Sequence, residues 1–279
     1  MIAESSGKEG FGIVPVESEP HVSLDCYGDD RVFVLIKVAG RDDRWLSDLE
    51  RLLRLAGKPV VVIHLESIYS LAQEFYRWEF ATAAACIVLG VNPFDQPNVQ
   101  SAKTLATASL KAYKETGKLP EEVVSVKGSG IEVISDTFEL DVKDALKAFL
   151  STGKPGDYIA LLAFTPYGEA ISTEMRRLRE ILLDRYHLAV TAGYGPRFLH
   201  STGQLHKGGK NNGLFIQIVD TVTPDLEVPG QGYSFGTLIT SQAQGDANAL
   251  KAEGRRLLRL RFTGDTAEGL SELARLLTN

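Results

Sequence analysis

Apolar residues recur along this chain in two rhythms, short β-branched runs and longer stretches at helical spacing, and the two alternate. Arg31–Val38 (RVFVLIKV) and Pro59–His64 (PVVVIH) are runs of the kind that fill a buried parallel sheet. Between them, Trp45, Leu46, Leu49, Leu52 and Leu53 recur at helical spacing, which predicts a helix over Asp43–Leu55 that Gly57-Lys58-Pro59 ends. Together they make one βαβ unit. Leu71–Leu89 reads as a long helix that is apolar almost all round (Phe75, Trp78, Phe80, Ala81, Ala84, Ile87). That pattern predicts burial on every side, and the helix stops at Gly90, before the turn Asn92-Pro93. A further helix is expected from about Val99 to Thr116.

Gly117–Glu122, with Pro120 inside, is the expected internal boundary, dividing the chain into 1–118 and 119–279; one continuous domain is the alternative. Beyond it, strands are expected at Ile131–Ser135, Tyr158–Phe164, Leu188–Ala192, Leu214–Val219 and Leu257–Phe262. Helices are expected between and after them, at Val142–Ser151, Glu169–Asp184, Phe235–Glu253 and Ala267–Leu277. This alternation predicts an α/β fold: a doubly wound, mostly parallel sheet with helices on both faces. Asp220–Gly232 is the one long polar loop, and Met1–Gly10 reads as a loop too, as though the start were cut from something longer.

Composition narrows the function. With 279 residues and 44% apolar content the chain can bury a large core. A formal charge of -6 without basic clusters argues against nucleic acid and against an anionic membrane surface. The two cysteines, Cys26 and Cys86, lack metal-type spacing and fit a reduced setting. The longest apolar run, Ala81–Val91, falls short of the roughly 20 residues a bilayer span needs, and no secretory-signal layout opens the chain. A soluble cytoplasmic protein is expected.

Three polar patches bounded by glycine or proline stand at the ends of apolar elements: Glu4–Gly10 (ESSGKEG), Asn92–Lys103 (NPFDQPNVQSAK) and Gly195–Gly209 (GPRFLHSTGQLHKGG). In open α/β sheets such strand ends hold the substrate. Together the patches supply a carboxylate, an amide, an amine and imidazoles. Those are the groups needed to move a proton between carbons beside a carbonyl while steering hydroxyl protons.

These strings carry a resemblance. Ala3-Glu4-Ser5-Ser6-Gly7-Lys8, Arg77-Trp78-Glu79-Phe80-Ala81-Thr82, Asn92-Pro93-Phe94-Asp95-Gln96-Pro97, the Gly195 run and Gly230–Leu238 (GQGYSFGTL) resemble the carboxyl-terminal part of the glucose-6-phosphate isomerase family. That family has two sugar-isomerase (SIS) domains, and the likeness is greatest to the isomerase half of bacterial transaldolase/glucose-6-phosphate isomerase fusions. The resemblance implies an SIS-like, flavodoxin-like three-layer sandwich. It implies that Glu4 shuttles a proton between C2 and C1 through an enediolate, and that His200 opens the pyranose ring with help from Lys103. Gln96 would contact the sugar, with Arg197, Ser201, Thr202, Gln204, His206 and Lys207 as further substrate-binding candidates. His206 competes with His200 as ring opener.

Two departures stand out. The order Glu4, Lys103, His200 matches the fusion type, whereas in the common family the histidine segment lies between the other two. The resemblance places the family's phosphate loop and enediolate-stabilising arginine in an upstream SIS domain, which is expected to be missing from this chain. Each assignment also has a structural alternative: a solvated carboxylate for Glu4, a surface lysine for Lys103, a turn amide for Gln96 and a hydrogen-bonded imidazole for His200.

The implied reaction is cofactor-free and metal-free interconversion of glucose 6-phosphate and fructose 6-phosphate. It would need an amino-terminal isomerase or transaldolase half in trans, in a homodimer or hetero-assembly. The alternative is a non-catalytic sugar-phosphate-binding or assembly module that retains the fold.

Overall fold

The computed structural model describes residues 1–20, 23–135, 141–221 and 224–278, without the side chains of 99–103. The elements run α1 (Ile2–Ser6), β1 (Phe33–Val38), α2 (Arg44–Leu55), β2 (Val60–Leu65), α3 (Leu71–Leu89) and α4 (Val99–Thr116). They continue with β3 (Val124–Gly128), β4 (Ile131–Ile134), α5 (Val142–Leu150), β5 (Tyr158–Phe164), α6 (Glu169–Tyr186), β6 (Ala189–Tyr194) and α7 (Gly203–Gly208). The chain closes with β7 (Gly213–Asp220), α8 (Phe235–Ala252), β8 (Arg256–Phe262) and α9 (Thr266–Thr278). Side chains start three of the described helices: Asp141 accepts from the Asp144 amide at 2.8 Å, Ser234 from the Thr237 amide at 3.1 Å, and Asp265 from the Glu268 amide at 3.0 Å.

Six strands form the main sheet in the order β3-β4-β8-β7-β5-β6. From β8 to β6 the pairs are parallel, and β4 joins β8 antiparallel. Strand alternation makes this sheet the middle layer. Ile159, Leu161 and Ala163 of β5 enter one apolar cluster with Leu146 of α5, Leu182 of α6 and Leu273 of α9. Their neighbours Tyr158, Ala160, Leu162 and Phe164 enter a second cluster, with Ala243 and Leu250 of α8. With both faces covered, every residue of β5 is buried. The expected three-layer α/β sandwich is the observed architecture.

Four features depart from the sequence reading. Ile2–Ser6 is a helix, not a loop. The short strand β3, hidden by a polar VSVKG sequence, pairs with β4 through a two-residue turn, Ser129-Gly130, whose φ angles of 53 and 74° are both left-handed. β1 and β2 pair in parallel as the expected βαβ unit, but in a separate two-stranded sheet that leaves Val34, Ile36 and Val61 exposed instead of buried.

The fourth departure is the largest. α3 buries only a narrow stripe through Glu74, Thr82 and Cys86, while Phe75, Tyr76, Phe80, Ile87 and Val88 are 62 to 87% exposed. The helix is apolar around most of its circumference, as its sequence implies. Among the described residues, however, α1 is the helix that packs closely on it, and these apolar side chains stay uncovered. α4, in contrast, lies along α8 and ties the amino-terminal half to the main sheet, helped by Gln244 Nε2 donating to the Pro120 carbonyl at 3.1 Å.

Candidate active site

Glu4 sits half-buried in the first turn of α1. The segment after it is fixed by its own residues: Ser6 Oγ donates to the Ile2 carbonyl at 2.7 Å and accepts from the Ile13 amide at 3.0 Å. Gly7 then meets α7 so closely that a Cβ there would stand 2.3 Å from Leu205 Cα. This contact seats the Glu4 helix on the helix that follows His200.

Lys8 makes the second link. It is 1% exposed, and its Nζ donates to the Asn92 carbonyl at 2.6 Å, to the Asp95 carbonyl, and to Asp95 Oδ1 at 2.7 Å. The amine holds the Asp95 carboxyl below its ordinary range. Gln96, the neighbour of Asp95, is exposed beside this anchor.

Gln204 makes the third. Wholly buried, it donates from Nε2 to the Gly7 carbonyl and to Asn98 Oδ1, both at 2.9 Å, and its Oε1 accepts from the Asn98 amide at 2.9 Å. Asn98 caps α4, the helix that carries Lys103 at its fifth position. The Lys103 side chain itself lies outside the described residues.

All three polar patches therefore converge at the backbone level, and the side chains of the Gly195 run then divide by exposure. Arg197 and His200 are exposed, Ser201 and Thr202 partly so. Gln204, His206 and Lys207, expected at the substrate, are turned inward. His206 is enclosed by Tyr158, Phe198 and Phe215, and its Nδ1 has no hydrogen-bond partner among the described residues. Burial, with help from Lys207 and Arg255, holds its pKa well below the usual imidazole value, so the ring is neutral. Of the two candidate ring openers, only His200 reaches the surface.

Lys207 and Asp246 are both fully buried, and their ion pair closes at 2.6 Å. From Asp246 the polar chain continues through Gln217, which donates at 3.4 Å, to Arg259, whose Nε donates to Gln217 Oε1 at 2.6 Å, and on to Glu122. With each group satisfied by the next, this network locks α7 and α8 to β7 and β8. Its amine is held inside the network by Asp246. Among the described residues no group of three His, Cys, Asp or Glu side chains could hold a metal ion, and no helix is long and apolar enough to cross a membrane.

Part of this chain also aligns with known proteins. It is 32% identical over 166 residues to the glucose-6-phosphate isomerases of two strains of Leptospira biflexa serovar Patoc. The chain is distantly related to glucose-6-phosphate isomerase. The match takes in 46% of this chain and 36% of each relative, so the chain spans little more than a third of the length of those enzymes. No family model matches it. A crystal structure of a hypothetical protein from Thermus thermophilus is 13% identical, with a TM-score of 0.41 over 88% of this chain and 55% of that one.

Lys8, Asp95 and Asn98 stand inside the sequence motifs, yet the motifs alone give them no chemical work. Their role is to bind the motifs to one another, and the only sequence signal for it is the density of polar residues in glycine-bounded turns.

Proposed function

We propose that this chain is a sugar-phosphate isomerase that interconverts glucose 6-phosphate and fructose 6-phosphate through an enediolate. One observation supports this above the others. The ESSGK, NPFDQP and HSTGQ segments, far apart in sequence, are bonded together by Lys8 and Gln204 and by the Gly7–Leu205 contact, with Glu4, Gln96 and His200 left free of those bonds.

His200 opens the pyranose by moving a proton between O1 and the ring oxygen, with the Lys103 amine near that oxygen. Glu4 then takes the proton from C2 of the open aldose, and the electron pair forms the C1–C2 double bond of the enediolate. Glu4 returns that proton to C1 while the O2 proton passes to O1, leaving the carbonyl at C2. Nothing is oxidised or reduced from outside the sugar, so no cofactor enters.

The uncovered apolar face of α3 supports activity within an assembly, since exposed patches of this kind mark interaction surfaces. The partner is a chain that supplies the amino-terminal portion of the isomerase. A coupled assay for glucose 6-phosphate formed from fructose 6-phosphate, with and without that portion, tests the reading. Turnover restored by mixing supports it. A confirmed complex that binds sugar phosphate without turning it over would leave the non-catalytic alternative.

A further inference from the structure

A cavity of about 380 Å³ opens at the carboxyl end of β6, between the middle of α6 and the Arg197–Thr202 turn. Its size is at the lower end of that of small-molecule sites. Arg176, Arg179 and Arg197 all line it.

The three guanidiniums differ in state. Arg179 is buried, and its nitrogens donate to the backbone carbonyls of Val190 at 3.1 Å, Ser18 at 3.0 Å and Glu17 at 2.9 Å. Those carbonyls engage all three of its nitrogens without cancelling its charge. Arg176 and Arg197 are exposed and have no carboxylate partner among the described residues, although the chain as a whole is acidic. Opposing them are Glu17 on the rim and Glu19 nearby, whose carboxyl is pushed up by burial. The cavity therefore keeps an excess of positive charge with two guanidinium forks unsatisfied, the donor geometry suited to a phosphoryl group.

Hydroxyls complete the lining. Ser201 and Thr202 follow His200 directly, and Ser172 Oγ lies 3.3 Å from Tyr194 Oη. Tyr167 packs edge-on against Tyr194 at 5.1 Å between centroids and forms an aromatic wall. We propose that this cavity is a phosphate-monoester site, in which Arg176 and Arg197 clamp the phosphoryl oxygens and the Ser201–Thr202 turn adds hydroxyl donors. The site goes beyond the isomerase reading, in which the amino-terminal portion holds the substrate's phosphate, and stands or falls apart from it.

The test is titration of the whole chain with inorganic phosphate, followed by calorimetry and phosphorus NMR. Saturable binding is expected, weakened at least about tenfold in Arg176→Gln and Arg197→Gln. Both side chains are exposed, so folding should persist, which circular dichroism checks. Arg177→Gln removes a charge from the same helix that already pairs with Glu174 outside the cavity, and should bind like the parent. Absent binding, or equal loss in Arg177→Gln and Arg176→Gln, would overturn the site. Glu4→Gln should keep phosphate binding, so an assembly that binds phosphate here but never isomerises sugar would sink the isomerase reading and leave this site standing.

Discussion

Lys8 Nζ and Asp95 Oδ1 lie 2.7 Å apart, with the amine wholly buried and the carboxylate half exposed. One side chain thus joins the segment that presents Glu4 to the segment that presents Gln96. Lys8→Met should loosen both at once. Since misplacement by about an ångström can cost on the order of a hundredfold in rate, isomerisation should fall by at least about tenfold. Steady-state rates of the assembled enzyme check this, and an unchanged rate would show that the link does not position the base.

How far can the sequence be read? The rhythm of apolar residues locates α3 and α4 to the residue and all but one of the strands, most clearly β5 and β7, which are continuous runs buried on both sides. It fails on β3, which is short and polar, and on the exposure of α3, because periodicity reports which faces are apolar and not whether anything covers them. Within the Gly195 run the sequence shows which residue types are present but not their direction. Packing of α7 buries Gln204, His206 and Lys207 while His200, before it, stays exposed, and that packing includes Gly7, near the other end of the chain, set against Leu205.

Gly7→Ala probes that contact. A methyl group would collide with the α7 backbone, so a loss of about 1–3 kcal/mol is expected from overpacking. Urea unfolding with an unchanged slope and a lower midpoint would bear this out; parental stability would mean that α1 is free to move away.

The Lys207–Asp246 pair gives a sharper stability test because both groups are out of water. Asp246→Leu alone should cost about 3–5 kcal/mol by stranding the buried amine, and adding Lys207→Met should recover much of it. Additive losses in the double variant would contradict the pairing.

His206 should shape the acid side of the stability curve. Its folded pKa is depressed, so at acid pH the unfolded state binds a proton that the folded state refuses. Stability is thus fully present above the ordinary imidazole pKa and is lost as pH falls below about 6.5, by up to ~1.4 kcal/mol per pH unit. Chemical denaturation of His206→Leu across this window should show a shallower slope than the parent.

Proton transfer at carbon is the central claim, and it is read most directly by NMR of fructose 6-phosphate incubated in deuterated water with the assembled enzyme. Deuterium should enter at C1 of the ketose and C2 of the aldose, and Glu4→Gln should abolish this while still binding sugar phosphate. Equal exchange in Glu4→Gln would contradict the assignment of the base, and no exchange in the parent assembly would contradict isomerisation itself.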